Sequence, residues 1–187
     1  RNFTAEAPDR VWLADLTYIW TAQGWLYLAP RQPLAAALRD GSSALPMMVI
    51  DLFARRVVGW ATSDRLHKEL ALSALRRAIV IRRPPAGLIH HTDRGGQYCA
   101  IEYQAELRRH GILISMSGKG NGDDNAMVET FFKTLKSELV WRTVFQNRAD
   151  ATAAIGRCID AFHNPVRRHS ALDFKGPLQF KAGRAKP

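Results

Sequence analysis

Residues 48–62, MVIDLFARRVVGWAT, contain two β-rich runs on either side of a short turn, and this pattern indicates a sheet of paired strands. MVIDLF and VVGWAT are rich in β-branched and aromatic residues, and the ARR between them is short enough to join two adjacent strands. An earlier run, VWLADLTYI at residues 11–19, has the same character. Successive strands joined by short turns predict a three-stranded antiparallel meander.

Beyond this meander, helical and strand patterns alternate. Helices are predicted over residues 68–83, 100–111, 125–140 and 148–162, and strands over residues 87–92 and 112–116. The element order is therefore βββ-α-β-α-β-α-α. It predicts an α/β fold in which two parallel strands extend the antiparallel meander and helices flank the sheet.

Length and charge limit the classes of function. The chain has 187 residues, enough for one ordinary domain with a packed core. Its 27 Lys and Arg exceed its 17 Asp and Glu, for a formal net charge of +10. Such a balance favours polyanionic partners, because each cation placed on a phosphate releases a counterion. A basic protein without such a partner fits the charge equally well.

Several kinds of site and location are not indicated. Cys99 and Cys158 are single and far apart, so neither a zinc module nor a disulfide framework is predicted. No run approaches the roughly 18 apolar residues of a membrane helix. The N-terminus, RNFTAEAPDR, has no apolar signal-peptide core. The simplest expectation is a reduced, cytoplasmic context with no membrane partner.

Three acids occupy unusual positions. Strand alternation places Asp15 on the same face as Val11 and Leu13, Asp93 follows a predicted strand, and Glu129 lies one turn inside a helix. Converging carboxylates suit Mg²⁺ or Mn²⁺, and two such ions can assist phosphoryl transfer. Each acid alone is more often a solvated or capping residue, so the prediction depends on all three together.

Five blocks, in order, carry a family resemblance: WLADLTYI, MVIDLFARRVVGW, HTDRGGQY, SMSGKGNGDDNAMVETFFKTLKSE and HNPVRRHSAL. They resemble the insertion-sequence transposases of family three, which share the DDE catalytic core of retroviral integrases. The resemblance spans nearly the whole chain and implies a ribonuclease-H-like fold. It also implies that Asp15, Asp93 and Glu129 are the catalytic metal ligands of a polynucleotidyl transferase and endonuclease. The expected cofactor is Mg²⁺ or Mn²⁺, as two ions.

The resemblance further implies partners for this core. They are double-stranded DNA, as transposon ends and target, and further copies of the chain in an active homo-oligomer. The expected location is DNA-associated in the bacterial cytoplasm. The family's N-terminal helix-turn-helix region, which recognises the element ends, has no counterpart in this sequence. The chain is therefore expected to be a catalytic core without its main specificity reader.

Polar residues near Glu129 are candidate DNA contacts. Asn125, Lys133 and Lys136 lie at −4, +4 and +7 from Glu129, so they share its side of the helix. Lysines beside a metal-binding acid can hold phosphates. The alternative is that Lys133 only pairs with Glu129, which is worth about 0.3–0.5 kcal/mol on an exposed helix.

A second candidate DNA surface lies in the C-terminal tail. Under the family resemblance, Arg167, Arg168 and His169 are phosphate contacts. Otherwise they form a solvated basic patch. The tail, residues 164–187, is basic and turn-rich. It follows an integrase-like core over residues 11–163 and an N-terminal linker over residues 1–10.

Residues 30–47 depart from the family pattern as an insertion between the halves of one strand, WLYLA and MVIDLF. Inside a central strand, this insertion would break backbone hydrogen bonds next to Asp15. An alternative function is therefore a catalytically inactive DNA-binding transposase remnant. A ribonuclease-H-type nuclease acting on RNA–DNA hybrids shares the metal chemistry, but fits less well with the lysine-bearing helix and the basic tail.

Five other polar or aromatic residues have open roles. Asp51 lies in a strand shortly before two arginines and is interpreted as a structural or ion-paired acid rather than a fourth ligand. His90 and His91 end a strand, where histidine is more often structural, although His91 could orient a water or nucleotide. Gln97 and Tyr98 either touch substrate or cap the following helix.

Overall fold

A five-stranded sheet forms the centre of the protein, seen in a computed structural model that describes residues 5–22, 45–64, 67–118 and 126–184. Its strands are β1 (Val11–Leu16), β2 (Leu45–Asp51), β3 (Arg56–Ser63), β4 (Ile89–Thr92) and β5 (Leu113–Met116). The spatial order is β3-β2-β1-β4-β5. The first three strands pair antiparallel, whereas β4 runs parallel to both β1 and β5. The predicted meander with two parallel strands is confirmed.

Six α-helices accompany this sheet in the described ranges. They are α1 (Lys68–Arg82), α2 (Gly96–Cys99), α3 (Ile101–Arg109), α4 (Ala126–Glu138), α5 (Arg148–Arg157) and α6 (Pro177–Arg184). The α1 helix ends at Arg83, in the left-handed conformation, directly before Pro84. Among the described residues, no helix combines the length and apolar character needed to cross a membrane.

Strand alternation divides the core into two layers, one on each face of the sheet. Trp12 and Ala14 of β1 pack with α1 and α3 on one face. Val11 and Leu13 pack on the other face with residues of α4 and α5. Since Asp15 shares the parity of Val11 and Leu13, it lies on the face covered by α4. This placement brings the helix that carries Glu129 over the strand that carries Asp15.

The α1 helix approaches β3 most closely at Gly59. A Cβ atom at Gly59 would lie 2.9 Å from the backbone nitrogen of Ala78 and closer still to the carbonyl oxygen of Ala74. Both are backbone atoms, so neither can move aside without displacing the helix. Glycine therefore permits the close packing of α1 on the sheet.

We expect Gly59→Ala to lower the free energy of unfolding by about 1–3 kcal/mol, because the added methyl group overpacks this contact. Urea unfolding would measure the change. Gly183→Ala is the matched control, since a Cβ there meets no atom within 4 Å. An unchanged midpoint in Gly59→Ala would show that α1 can move away at little cost.

A buried ionic cluster occupies the end of the sheet where β1 begins. Nε of Arg82 donates to Oδ1 of Asp9 at 2.8 Å, and Nη2 of Arg82 lies 3.6 Å from Oδ2 of Asp51. Asp51 is fully buried, and its Oδ1 accepts hydrogen bonds from the backbone N–H groups of Asp9 and Phe53. The interpretation of Asp51 as a structural, ion-paired acid is confirmed.

The structure differs from the sequence-based boundaries in two segments, the predicted insertion and the C-terminal tail. Residues 30–44 of the predicted insertion lie outside the described ranges, whereas residues 45–47 belong to β2. Within β2, Met48 pairs with Asp15 and Met47 with Leu16, so the β1–β2 pairing continues beside Asp15. The C-terminal tail, predicted to be turn-rich, contains α6, and Phe180 of that helix packs into a small apolar cluster.

Candidate active site

Asp15 lies near the carboxyl end of β1 and is partly buried. Its Oδ1 accepts a hydrogen bond from the backbone N–H of Leu16 at 2.8 Å. The pKa of Asp15 is raised to about 6, mainly by burial and also by the charges of Asp93 and Glu129, while the Leu16 hydrogen bond and the Lys136 charge oppose the rise. This carboxyl group therefore lies within electrostatic reach of both other predicted acids.

Asp93 follows β4 directly and is exposed. Leu13 pairs with His91 in the parallel β1–β4 ladder, so Asp15 and Asp93 each lie two residues further along adjacent strands. The carboxyl ends of parallel strands meet at one edge of a sheet, which is where ligands bind in open α/β folds. The backbone N–H of Gly95 donates to Oδ1 of Asp93 at 2.9 Å, which orients the carboxylate.

Glu129 lies in the first turn of α4 and is exposed. Val128 and Phe132 anchor this helix in the apolar layer that also contains Leu13. The helix packs against β1, and the charge of Glu129 reaches Asp15. The three acids come from three separate elements, and Asp15 interacts electrostatically with both of the others.

The donor set of these three side chains consists only of carboxylate oxygens, which suits a hard cation such as Mg²⁺. Mutual repulsion at Asp15 is a second sign of fit, since a bound cation would relieve it. Throughout the described ranges, no group of three or more His, Cys, Asp or Glu side chains is spaced closely enough to hold a metal ion. Asp15, Asp93 and Glu129 therefore interact through their charges, but their side chains are not grouped closely enough to form a metal site.

We expect Asp15→Asn to stabilise the metal-free protein at pH 7 by roughly 1–3 kcal/mol, because the variant buries no charge. The folded-state pKa of Asp15, about 6, lies above its ordinary value of 3.8. Folding is therefore favoured by Asp15 below about pH 4, and that contribution is lost as the pH rises through 6. Thermal unfolding between pH 4 and 8 should show the advantage of the variant growing over this window. A constant difference would argue against a buried charge.

Lys136 is the predicted DNA-contacting residue that lies beside the acids. It is half-buried, and burial lowers its pKa while the charge of Asp15 opposes that shift. Lys133 is exposed one turn earlier on α4. Asn125 lies outside the described residues. A cation is thus held next to Asp15, where it can meet an anionic substrate.

Both histidines of β4 are buried and lie within hydrogen-bond distance of side-chain hydroxyl groups. Nε2 of His90 lies 2.7 Å from the hydroxyl oxygen of Tyr103. Burial lowers the pKa of His90 to about 3, so the ring is neutral. The ring nitrogens of His91 lie 2.9 and 3.1 Å from the hydroxyl oxygens of Ser115 and Ser117. Both side chains are buried and link β4 to its surroundings.

The sequence left the role of Tyr98 open between substrate contact and capping of the following helix. It is fully buried, and its ring meets that of Tyr103 edge-on at 5.6 Å. Burial raises the pKa of Tyr98, with further contributions from Tyr103, Asp15 and Asp93. Tyr98 is therefore a buried core residue whose hydroxyl lies within electrostatic reach of the two strand-end acids. A single aromatic residue at a helix start has no periodicity that would predict such a position.

The predicted contacts in the C-terminal segment lie on another side of α4. Arg167 forms a two-point ion pair with Glu138, in which Nη2 and Oε1 are 2.6 Å apart. Arg168 is exposed, and the ring of His169 meets that of His163 at 5.1 Å between centroids. The structure does not bring these three residues to the acid cluster.

Family comparisons agree with this architecture. Two family models, each described as "Integrase core domain", match residues 36–122 and 110–177. The transposase for insertion sequence element IS904 of Lactococcus lactis subsp. lactis (strain IL1403) is 43% identical over 179 residues, covering 96% of this chain and 64% of that protein. Transposase InsF for insertion sequence IS3A of Escherichia coli (strain K12) is 41% identical over 181 residues, covering 97% of this chain and 57% of that protein. The chain therefore spans about three fifths of these relatives.

Solved structures show the same fold at low sequence identity. A simian T-cell lymphotropic virus intasome in complex with PP2A regulatory subunit B56 gamma contains a chain that matches with a TM-score of 0.68 and 16% identity, covering 100% of this chain and 59% of that one. The HTLV-2 integrase catalytic core domain in complex with magnesium, in its trimeric form, matches with a TM-score of 0.62 and 16% identity, covering 95% and 99%. The implied ribonuclease-H-like arrangement is confirmed.

Proposed function

Because the chain belongs to the integrase core domain family, we propose that it is the catalytic core of an insertion-sequence transposase that cleaves and transfers DNA strands. The observation that carries this proposal is the electrostatic interaction of Asp15 with both Asp93 and Glu129, with Asp15 and Asp93 at the ends of adjacent parallel strands. Carboxylates in this arrangement suit phosphoryl transfer by a DDE polynucleotidyl transferase.

We propose that the three carboxylates hold divalent cations, Mg²⁺ or Mn²⁺, as two ions. When bound, these ions would activate the attacking hydroxyl and stabilise the leaving oxygen. The protein's own contribution is positional: β1 and β4 fix two carboxylates, and the N–H of Gly95 orients that of Asp93. The magnesium in the HTLV-2 integrase core supports the choice of metal.

The proposed substrate is double-stranded DNA, comprising the element ends and the target. Lys136 beside Asp15 would hold a phosphate close to the reacting bond, and Lys133 and Asn125 would extend that contact along the strand. The net charge of +10 favours the same partner. A homo-oligomer is proposed for the active complex, since a transposition event joins two DNA ends.

No observation favours an inactive remnant over the catalytic core. That alternative depends on a broken strand beside Asp15, yet the β1–β2 pairing includes Asp15 with Met48 and Leu16 with Met47. Deleting residues 30–44 tests whether this insertion inactivates the protein. A catalytic core predicts activity before the deletion, whereas a disabled remnant predicts activity only after it.

The proposed reaction is tested with the complete protein, DNA carrying the element ends, and Mg²⁺. We expect nicking at the ends followed by joining to a second duplex, and no reaction when EDTA replaces Mg²⁺. An RNA–DNA hybrid is the matched control substrate. Cleavage of the hybrid in preference to the DNA ends would replace the transposase proposal with a hybrid-specific nuclease.

A further inference from the structure

A cavity of about 450 Å³ lies between α4, the turn that joins β2 to β3, and the segment after α5. Thr130, Phe131 and Thr134 line it from α4. Thr134 is about 140° around the helix from Glu129, at 100° per residue. The cavity therefore opens on a different side of α4 from the acid cluster.

The lining of this cavity is rich in cations and hydrogen-bond donors. Its basic members are Arg55, Arg167, Arg168, His163 and His169. Three hydroxyl side chains add to them, and none of the described residues in the lining is Asp or Glu. A cavity with many donors and no carboxylate suits an anionic ligand that accepts several hydrogen bonds.

Two of the three arginines remain available for such a ligand. The guanidinium of Arg167 is engaged by Glu138. Neither Arg55 nor Arg168 forms an ion pair with any residue in the described ranges. Arg55 adopts the left-handed conformation, with φ of 54°, and its carbonyl oxygen lies 3.0 Å from Nε2 of His163. This contact fixes the hairpin turn at the rim of the cavity.

His169 adds a polar atom that is buried without a partner. Its Nε2 has no hydrogen-bond partner among the described residues. The pKa of His169 is lowered by burial and then by the charges of Arg55 and Arg167. Positive charge thus converges on this ring from two separate elements. An anion between Arg55, Arg168 and His169 would neutralise that charge and satisfy the orphaned nitrogen.

We propose that this cavity binds one phosphate group, held by Arg55, Arg168 and His169, at a site separate from the three acids. Arg168 and His169 would then bind phosphate inside one cavity together with Arg55, and Arg167 would not be a phosphate contact. Phosphate binding at this cavity is independent of the proposed catalysis, because it requires neither metal nor strand transfer. A DNA backbone phosphate and a free phosphate share this chemistry, and the experiment separates them.

Inorganic phosphate is the first probe, titrated into the metal-free protein at constant ionic strength and followed by ¹H–¹⁵N NMR. We expect saturable shifts confined to amides of residues 54–56, 126–134 and 163–170. Arg55→Gln and Arg168→Gln should each weaken this binding at least tenfold. Arg157→Gln, which removes an exposed arginine outside the cavity, should leave it unchanged. Circular dichroism would verify that each variant is folded.

A DNA duplex without element-end sequence is the second probe, followed by fluorescence anisotropy. Weaker DNA binding in Arg55→Gln and Arg168→Gln than in Arg157→Gln would identify the ligand as a backbone phosphate. Unchanged DNA binding with lost phosphate binding would identify a free phosphate compound. Absence of saturable phosphate shifts, or equal loss in all three variants, would overturn the proposal and leave the test of catalysis unaffected.

Discussion

Replacing Asp93 with Asn, or Glu129 with Gln, is expected to lower metal-dependent DNA strand transfer by on the order of 10³-fold or more, equivalent to about 4 kcal/mol of barrier. Each change keeps the shape of the side chain and removes the negative charge that would bind a cation. Both acids are exposed, so the fold should tolerate the substitutions. The measurement is the rate of strand transfer by the complete protein at saturating Mg²⁺.

Asp160→Asn is the matched control for this loss of charge. Asp160 is exposed, and its ion pair with Arg77, at 3.5 Å, is of the surface type that contributes little. Its activity should stay within about twofold of the wild type, as a neutral surface change predicts. Undiminished activity in Asp93→Asn or Glu129→Gln would remove that residue from the proposed catalytic set.

Replacing Arg82 with Ala is expected to lower the free energy of unfolding by about 3–5 kcal/mol, the cost of breaking a buried ion pair by removing one partner. The Arg82 side chain is 4% exposed and lies between Asp9 and Asp51. Burial and the charge of Asp9 raise the pKa of Asp51 to about 6, while Arg82 opposes that rise. Without Arg82, Asp51 would be a buried charge with one fewer partner.

Urea unfolding at pH 7 measures this loss, and the pH dependence identifies its cause. The pKa of Asp51 in the folded protein lies above its ordinary value, so protonation at lower pH favours the folded state. Loss of Arg82 would raise the pKa of Asp51 further, so part of the loss in Arg82→Ala should return as the pH falls towards about 6. Arg76→Ala, on the same helix but 59% exposed, is the control and should cost less than about 1 kcal/mol. Equal losses in the two variants would show that burial adds nothing to the Arg82 pairs.

Local patterns in the sequence were sufficient to predict the sheet and the elements that carry the three acids. Alternation in β1 placed Asp15 on the same face as Val11 and Leu13. In the structure, Val11 and Leu13 pack in the apolar layer that α4 covers. The strand-end position of Asp93 and the helical position of Glu129 also followed from local patterns. Short-range periodicity indicates which face of a strand or helix a residue occupies. The positions of Asp15, Asp93 and Glu129 within their elements follow from that periodicity alone.

Long-range contacts were beyond such patterns. Arg82 meets Asp9 across 73 residues of chain, and nothing in either segment indicates the pairing. The cavity behind α4 likewise joins Arg55 of a hairpin turn to His169 of the C-terminal segment. These contacts arise when separate elements pack, so they became visible only in the folded chain.

The α6 helix was not predicted, although its sequence contains a helix-start signal. Pro177 opens the helix, a position where its fixed φ and missing N–H are tolerated. The segment is basic and turn-rich in sequence, so no helix was predicted there. Burial of Phe180 against Ala54 and Leu172 supplies the tertiary contact that stabilises a helix of this length.

The proposed function depends on joint binding of the catalytic metal ions by Asp15, Asp93 and Glu129. Anomalous X-ray scattering from crystals of the protein grown with Mn²⁺ would show these ions. We expect two Mn²⁺ peaks about 3.5–4 Å apart, bound by oxygens of these three carboxylates. Saturating Mn²⁺ that leaves the three acids without an ion, or that binds only elsewhere, would refute joint metal binding by these residues.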